Sequence, residues 1–168
     1  MIQNVDLTEA SLRVAEDLKN DASIKDFVYE QFKTKNLKVL VGDMLHIQYP
    51  RATDTPYIVL VDWEKREGLD VEFCKYTCSI AIGVGCGARP ELIDAGNGVL
   101  MIDAYDVSSK FAQLIIDVIN KRNNGNRPLS SVEMKGPYVI DADGGHWGVL
   151  LDCTWRIYQT MGFEQEEF

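Results

Sequence analysis

The chain has 168 residues, 46% of them hydrophobic, which suffices for one domain over residues 1–168 with a core that needs no covalent staple. Its formal net charge of −9 argues against a sequence-independent grip on nucleic acid, which requires a basic footprint. No apolar run approaches a membrane span, and MIQNVDLTEA carries neither the basic nor the apolar region of a signal peptide, so the expected setting is the cytoplasm, with reduced thiols.

Leu7 to Asn20 reads as a short helix with Leu12, Ala15 and Leu18 inward and Thr8 as its cap. Asp21 or Ser23 caps a second helix to about Phe32, with Ile24, Phe27, Val28 and Phe32 on one stripe. Leu37 to Val41 fits either a helix end or a strand. Gly42-Asp43 turns the chain into an expected first strand, Met44 to Tyr49. A loop bracketed by Pro50 and Pro56 leads to the strand PYIVLVDW, ending at Trp63. Glu64 to Glu72, EKREGLDVE, reads as a charged connection to Phe73–Val84, FCKYTCSIAIGV. There Cys74, Tyr76, Cys78, Ile80, Ile82 and Val84 share one face, with the period of a strand.

Gly83 to Gly98 holds five of the thirteen glycines, and Arg89 to Ala95 is expected to form a turn or two of helix behind Pro90. Val99 to Asp103 is a short strand. Ser108 is the expected cap of the best helix, running to Arg122, with Phe111, Leu114, Ile115, Val118 and Ile119 inward. Asn123 to Pro128 ends it as a loop. Pro137 to Ala142 and Trp147 to Tyr158 form a closing hairpin around Asp143-Gly144-Gly145, with Val149, Leu151, Cys153, Trp155 and Ile157 on one side. The fold class expected is α+β: a mainly antiparallel sheet packed by one long amphipathic helix and short N-terminal helices.

The chemistry-bearing residues do not combine readily. Cys74 and Cys78 lie about 13 Å apart along a strand at ~3.3 Å per residue, too far to share one tetrahedral zinc, so the cysteines read as core thiols and no metal is expected. His146 reads as a turn or core-edge imidazole, and His46 has no acidic neighbour beyond Asp43. Gly83-Val84-Gly85-Cys86-Gly87-Ala88 matches a dinucleotide fingerprint, with Asp103 about twenty residues on. A small nucleotide-binding enzyme using that loop is therefore the alternative from another class. Its context argues against it, since Pro90, Gly96 and Gly98 interrupt the helix the pyrophosphate needs. No cofactor is expected.

The order of elements resembles a known family. Two N-terminal helices lead to a strand at Met44–Tyr49. The Pro56-Tyr57-Ile58-Val59-Leu60 strand follows a proline-bounded loop, and then come a polar-alternating strand, one long amphipathic helix and a closing hairpin that ends in a Trp/Arg/aromatic strand. Over about residues 8 to 160 this pattern resembles the tail terminator (tail completion) proteins of long-tailed bacteriophages. The resemblance implies a structural virion protein without enzymatic activity. It would form a hexameric ring on the end of the tail tube, stop tube polymerisation and offer a surface to the head connector. Another head–tail neck protein is the alternative within that class. On this reading the protein is assembled in the host cytoplasm and resides in the virion. Its partners are further copies of itself, the tube protein and the connector; no membrane is involved, and DNA passes through without specific binding. Trp63, Glu64, Lys65, Arg66, Glu67 and Asp70 are then the candidate contacts between copies, because opposite signs set the register of an interface. Glu91, Asp94, Asp103 and Asp106, in a segment without Lys or Arg, are candidate channel lining that repels phosphates, and Lys121, Arg122 and Arg127 are expected outside the channel.

Overall fold

The computed structural model describes residues 6–42, 50–66, 73–85, 91–122, 129–141 and 145–158. Helices α1 (Leu7–Asn20), α2 (Ala22–Phe32) and α3 (Asp103–Arg122) cover one face of a five-stranded sheet. The strands are β1 (Lys38–Val41), β2 (Tyr57–Arg66), β3 (Phe73–Gly85), β6 (Leu129–Asp141) and β7 (His146–Tyr158), in the order β1-β2-β3-β7-β6. Only the β1–β2 pair is parallel among the described strands of this sheet. A separate antiparallel hairpin joins β4 (Leu92–Gly96) to β5 (Val99–Ile102). The fold is thus α+β, as the alternation of the strands and the single strong helix require.

Several boundaries differ from expectation. Asp6, not Thr8, caps α1, accepting a 2.7 Å hydrogen bond from the Glu9 N–H. The inward stripe of α1 is Ser11, Ala15 and Leu18, and Leu12 lies exposed. Asp21 caps α2 through the Ser23 and Ile24 N–H groups. Helix α3 begins at Asp103 rather than Ser108. Ser108 is buried within it and donates to the Ala104 carbonyl, a partner that replaces the capping role its side chain suggested. The helical turn expected over Arg89–Ala95 does not form in its described part: from Leu92 onward the chain is strand, paired with β5 across the Asn97-Gly98 turn, both residues of which have positive φ, while Arg89 and Pro90 lie outside the described residues. Leu37–Val41 resolves as strand from Lys38. The expected strand Met44–Tyr49 lies outside the described residues.

The core sits between the helices and the sheet. Ile58 and Leu60 of β2, Tyr76 to Val84 at alternate positions of β3, and Val149, Leu151, Cys153 and Trp155 of β7 supply its floor. Phe111, Ala112, Ile115, Val118 and Ile119 of α3 lie over them. Phe27 stacks on Phe111 with centroids 5.2 Å apart and planes 9° apart, and Phe32 meets Phe111 edge-on, so α2 is fixed to α3 through aromatic rings.

Strand β2 contains a bulge that decides what enters this core. Its pairing with β3 shifts between Val61 and Glu64, so that two residues, Asp62 and Trp63, oppose one. Asp62 takes a positive φ of 53° there. A strict alternation after Ile58 and Leu60 sends Asp62 inward; the extra residue reverses the phase and sends Trp63 inward instead. Beyond the bulge β2 continues to Arg66, with Glu64, Lys65 and Arg66 opposite Thr77, Tyr76 and Lys75. The charged connection is therefore shorter than Glu64–Glu72: its first three residues belong to the sheet.

Candidate functional site

The outer face of the sheet has two characters. At one end it is polar. Asp152 of β7 accepts a 2.7 Å hydrogen bond from Ser79 of β3 and pairs with Lys135 of β6, a bridge across three strands. Lys135 and then Ser79 hold the Asp152 carboxyl below the usual carboxylate range. At the other end the face is closed. Tyr57, Val59 and His146 are buried, and the Tyr57 hydroxyl and His146 Nε2 share a 3.0 Å hydrogen bond. Burial pushes the His146 pKa down, against the opposing pull of Asp141 and Asp54. The imidazole is thus a core-edge group, as its turn-side position suggests.

Glycines make that closure possible. A Cβ on Gly83 would lie 2.0 Å from the Tyr57 ring, and one on Gly148 would lie 2.6 Å from Ile140 Cδ1. Gly83 and Gly85 belong to β3, which runs antiparallel to both β2 and β7. The next described elements are the β4–β5 hairpin, not a helix. A dinucleotide fingerprint needs a parallel strand opening directly into a helix. The first two glycines of Gly83–Ala88 instead accommodate Tyr57 and Thr55; Cys86, Gly87 and Ala88 lie outside the described residues.

Cys78 and Cys153 stand directly opposite one another on β3 and β7, both buried as free thiols on the core face. Burial pushes both thiols up, Cys153 to about 12, and their mutual proximity adds to the effect on Cys78. Thiolate is the reactive form, so this environment makes them packing groups. The sequence placed each on a core face but gave no signal for their pairing, which depends on register. No cluster of three or more His, Cys, Asp or Glu side chains placed to hold a metal occurs among the described residues.

The candidate contact residues divide. Trp63 is half-buried and stacks on Trp155, so it serves the core. Lys65 lies over the Tyr76 ring at 5.8 Å, while Glu64 and Arg66 are exposed beside Lys75 and Thr77. Glu67 and Asp70 lie outside the described residues. The candidate lining residues divide as well. Glu91 and Asp94 are exposed on the hairpin. Asp103 and Asp106 occupy the first turn of α3, where carboxylates favour the helix dipole. Asp103 accepts from the Glu91 and Ala104 N–H groups, and Asp106 pairs with Lys110. Lys121 is exposed at the far end of α3; the Arg122 side chain and Arg127 are not described.

The feature that sequence reasoning missed is the hairpin itself. Leu92, Val99 and Leu100 are 66%, 58% and 64% exposed, the most exposed large apolar side chains among the described residues. Two strands without a covering layer are marginal in water. The signal was present in the sequence, in the apolar residues either side of Gly96-Asn97-Gly98, but the Pro90 start favoured a helical turn.

The candidate site so defined is a hairpin with exposed apolar side chains on an α+β domain. No protein-family model matches the chain, and no curated protein matches it. No helix among the described residues is long and apolar enough to cross a membrane.

Proposed function

We propose that this chain is a structural assembly protein of the tail-terminator type, which forms a ring on the end of a phage tail tube, halts tube growth and presents a surface for head joining. The observation that carries the reading is the β4–β5 hairpin, whose exposed Leu92, Val99 and Leu100 have no cover within the chain's described residues. Exposed apolar residues gathered on one element mark a contact with another protein. The order of elements across the chain supports the same class: two short helices, a sheet, one long amphipathic helix and a closing β6–β7 hairpin. The antiparallel setting of Gly83 favours this reading over a nucleotide-binding enzyme.

Electron microscopy of the purified protein, alone and mixed with growing tail tubes, tests it. Rings of uniform diameter that sit on tube ends and stop elongation are expected. Tubes that lengthen unchanged in the presence of excess protein overturn the reading. If rings join connectors but leave tube growth untouched, the alternative of another neck protein replaces it.

A further inference from the structure

We infer that the β4–β5 hairpin of one copy adds to the β1 edge of a second copy of this chain, its acidic, apolar surface meeting a basic, apolar one. The inference rests on the self-association in the preceding reading and on nothing else in it.

The donor is defined by composition and exposure together. From Glu91 to Asp106 the chain carries Glu91, Asp94, Asp103 and Asp106 and no Lys or Arg. Within that stretch Leu92, Val99 and Leu100 are the exposed apolar groups, with Glu91 and Asp94 exposed beside them. A partner for this element must therefore offer apolar contact and positive charge at once.

One described surface offers both. From Phe32 to Gly42 the chain carries Lys33, Lys35 and Lys38 and no acidic residue; Lys38 pairs with Asp54, so the positive charge offered comes chiefly from Lys33 and Lys35. Exposed apolar groups accompany them: Tyr29, with Lys35 over its ring at 6.0 Å, and Leu40 and Val41 on β1. Lys38 and Leu40 share the sheet face of Tyr57 and Val59, whereas Val39 and Val41 lie on the helix side with Ile58 and Leu60, so the exposed groups flank the β1 edge from both faces. Among the described strands, β1 is the outermost of the sheet on this side. Its Lys38 and Gly42 N–H groups donate to the Pro56 and Leu60 carbonyls of the β2 side. Alternation then directs the backbone groups of Val39 and Val41 away from β2, off the sheet edge. An edge with outward backbone groups accepts a further strand, and a two-stranded hairpin supplies one.

The opposite edge is a poorer acceptor. Strand β6 carries Pro137, which has no N–H to give, and its pairing with β7 shifts register between Leu129 and Ser131, between Lys135 and Tyr138 and between Val139 and Asp141. Proline and bulges are the devices that blunt an edge. Its Glu133 and Asp141 also carry the same sign as the hairpin.

Donor and acceptor are different surfaces, so each copy gives one contact and receives one. Repetition closes a ring or a two-fold pair where the rotation between copies closes, and runs on as an open filament where it does not.

Sedimentation velocity and native mass spectrometry on a concentration series test the contact. Asp94→Lys and Lys35→Glu are each expected to weaken self-association by about tenfold or more, and the double variant is expected to recover much of the loss, because the two charges then attract again. Leu100→Ser, at an exposed position, is expected to weaken association without lowering the melting temperature of the monomer. A two-fold dimer that responds to these exchanges supports the contact and overturns the ring. A ring whose strength ignores all four variants overturns the contact and leaves the ring standing. A protein that stays monomeric at every concentration overturns both.

Discussion

Trp63 and Trp155 lie face to face, their ring centroids 5.6 Å apart and their planes 12° from parallel, and the indole N–H of Trp63 is buried without a hydrogen-bond partner among the described residues. The pair joins β2 to β7 across the intervening β3. Trp63 therefore contributes packing at a polar cost.

The two tryptophans should therefore respond differently to substitution. Trp155→Ala removes a buried ring and is expected to destabilise by about 3–5 kcal/mol. Trp63→Phe keeps an aromatic stack and removes an unsatisfied donor whose burial costs about 1–3 kcal/mol, so the net change is expected to stay within about 1 kcal/mol. Urea denaturation at constant m-value measures both. A loss at Trp63→Phe comparable to that at Trp155→Ala means that the N–H has a partner after all.

The bulge at Asp62 makes a second prediction. Asp tolerates a left-handed backbone and a β-branched residue does not, so Asp62→Val is expected to cost about 1–2 kcal/mol although the side chain is exposed. Asp62→Gly is expected to be neutral or slightly stabilising. If Val and Gly behave alike, backbone strain is not what distinguishes the site.

Protonation of His146 should destabilise the fold. Its folded pKa lies below the unfolded value near 6.5, because burial disfavours the imidazolium. Between the two values the unfolded chain binds more protons, so stability rises with pH there. Its contribution is complete above about pH 6.5, falls as pH drops through that window and levels off below the folded pKa. Melting temperatures recorded from pH 7.5 to pH 5 are expected to decline, and His146→Gln should flatten that part of the profile. An unchanged slope in the variant assigns the decline to other groups.

Gly83 has a steric role. Gly83→Ala places a methyl group inside the Tyr57 ring and is expected to lower the melting temperature; adding Tyr57→Ala should relieve the clash, so the double variant loses less than the sum of the single changes. Calorimetric titration with nicotinamide or flavin nucleotides is expected to show no heat with the native protein. Binding that Gly85→Val abolishes would restore the nucleotide-site alternative.

Much of the architecture was written in periodicity. The alternation of Tyr76, Cys78, Ile80, Ile82 and Val84, and of Val149 to Trp155, specifies which face is buried, because a one-residue slip exposes the whole set. The stripe from Phe111 to Ile119 does the same for α3. What was less legible depends on contacts distant in sequence. The continuation of β2 through Glu64, Lys65 and Arg66 follows from pairing with β3, which overrides their charge. Ser108 offered a familiar capping residue, but the helix starts where Asp103 meets the Glu91 backbone, twelve residues away. Of the candidate association surface, its acids were visible and its shape was not. Exposure of Leu92 and Leu100 is a property of how the hairpin leaves the domain, and a list of apolar residues does not contain it.

The position of β7 in the sheet has a consequence for synthesis. It is the last described strand to emerge from the ribosome, yet it lies between β3 and β6 and pairs with both. At roughly 5–20 residues per second, β3 waits several seconds with one edge open, its Ile80, Ile82 and Val84 row unsupported on that side. β6 is likewise made before the only described strand it pairs with. A nascent chain stalled between the end of β3 and His146 is therefore a half-sheet with a long apolar edge, the kind of species that holding chaperones engage. Completion of the fold is confined to the moment when β7 becomes free to insert.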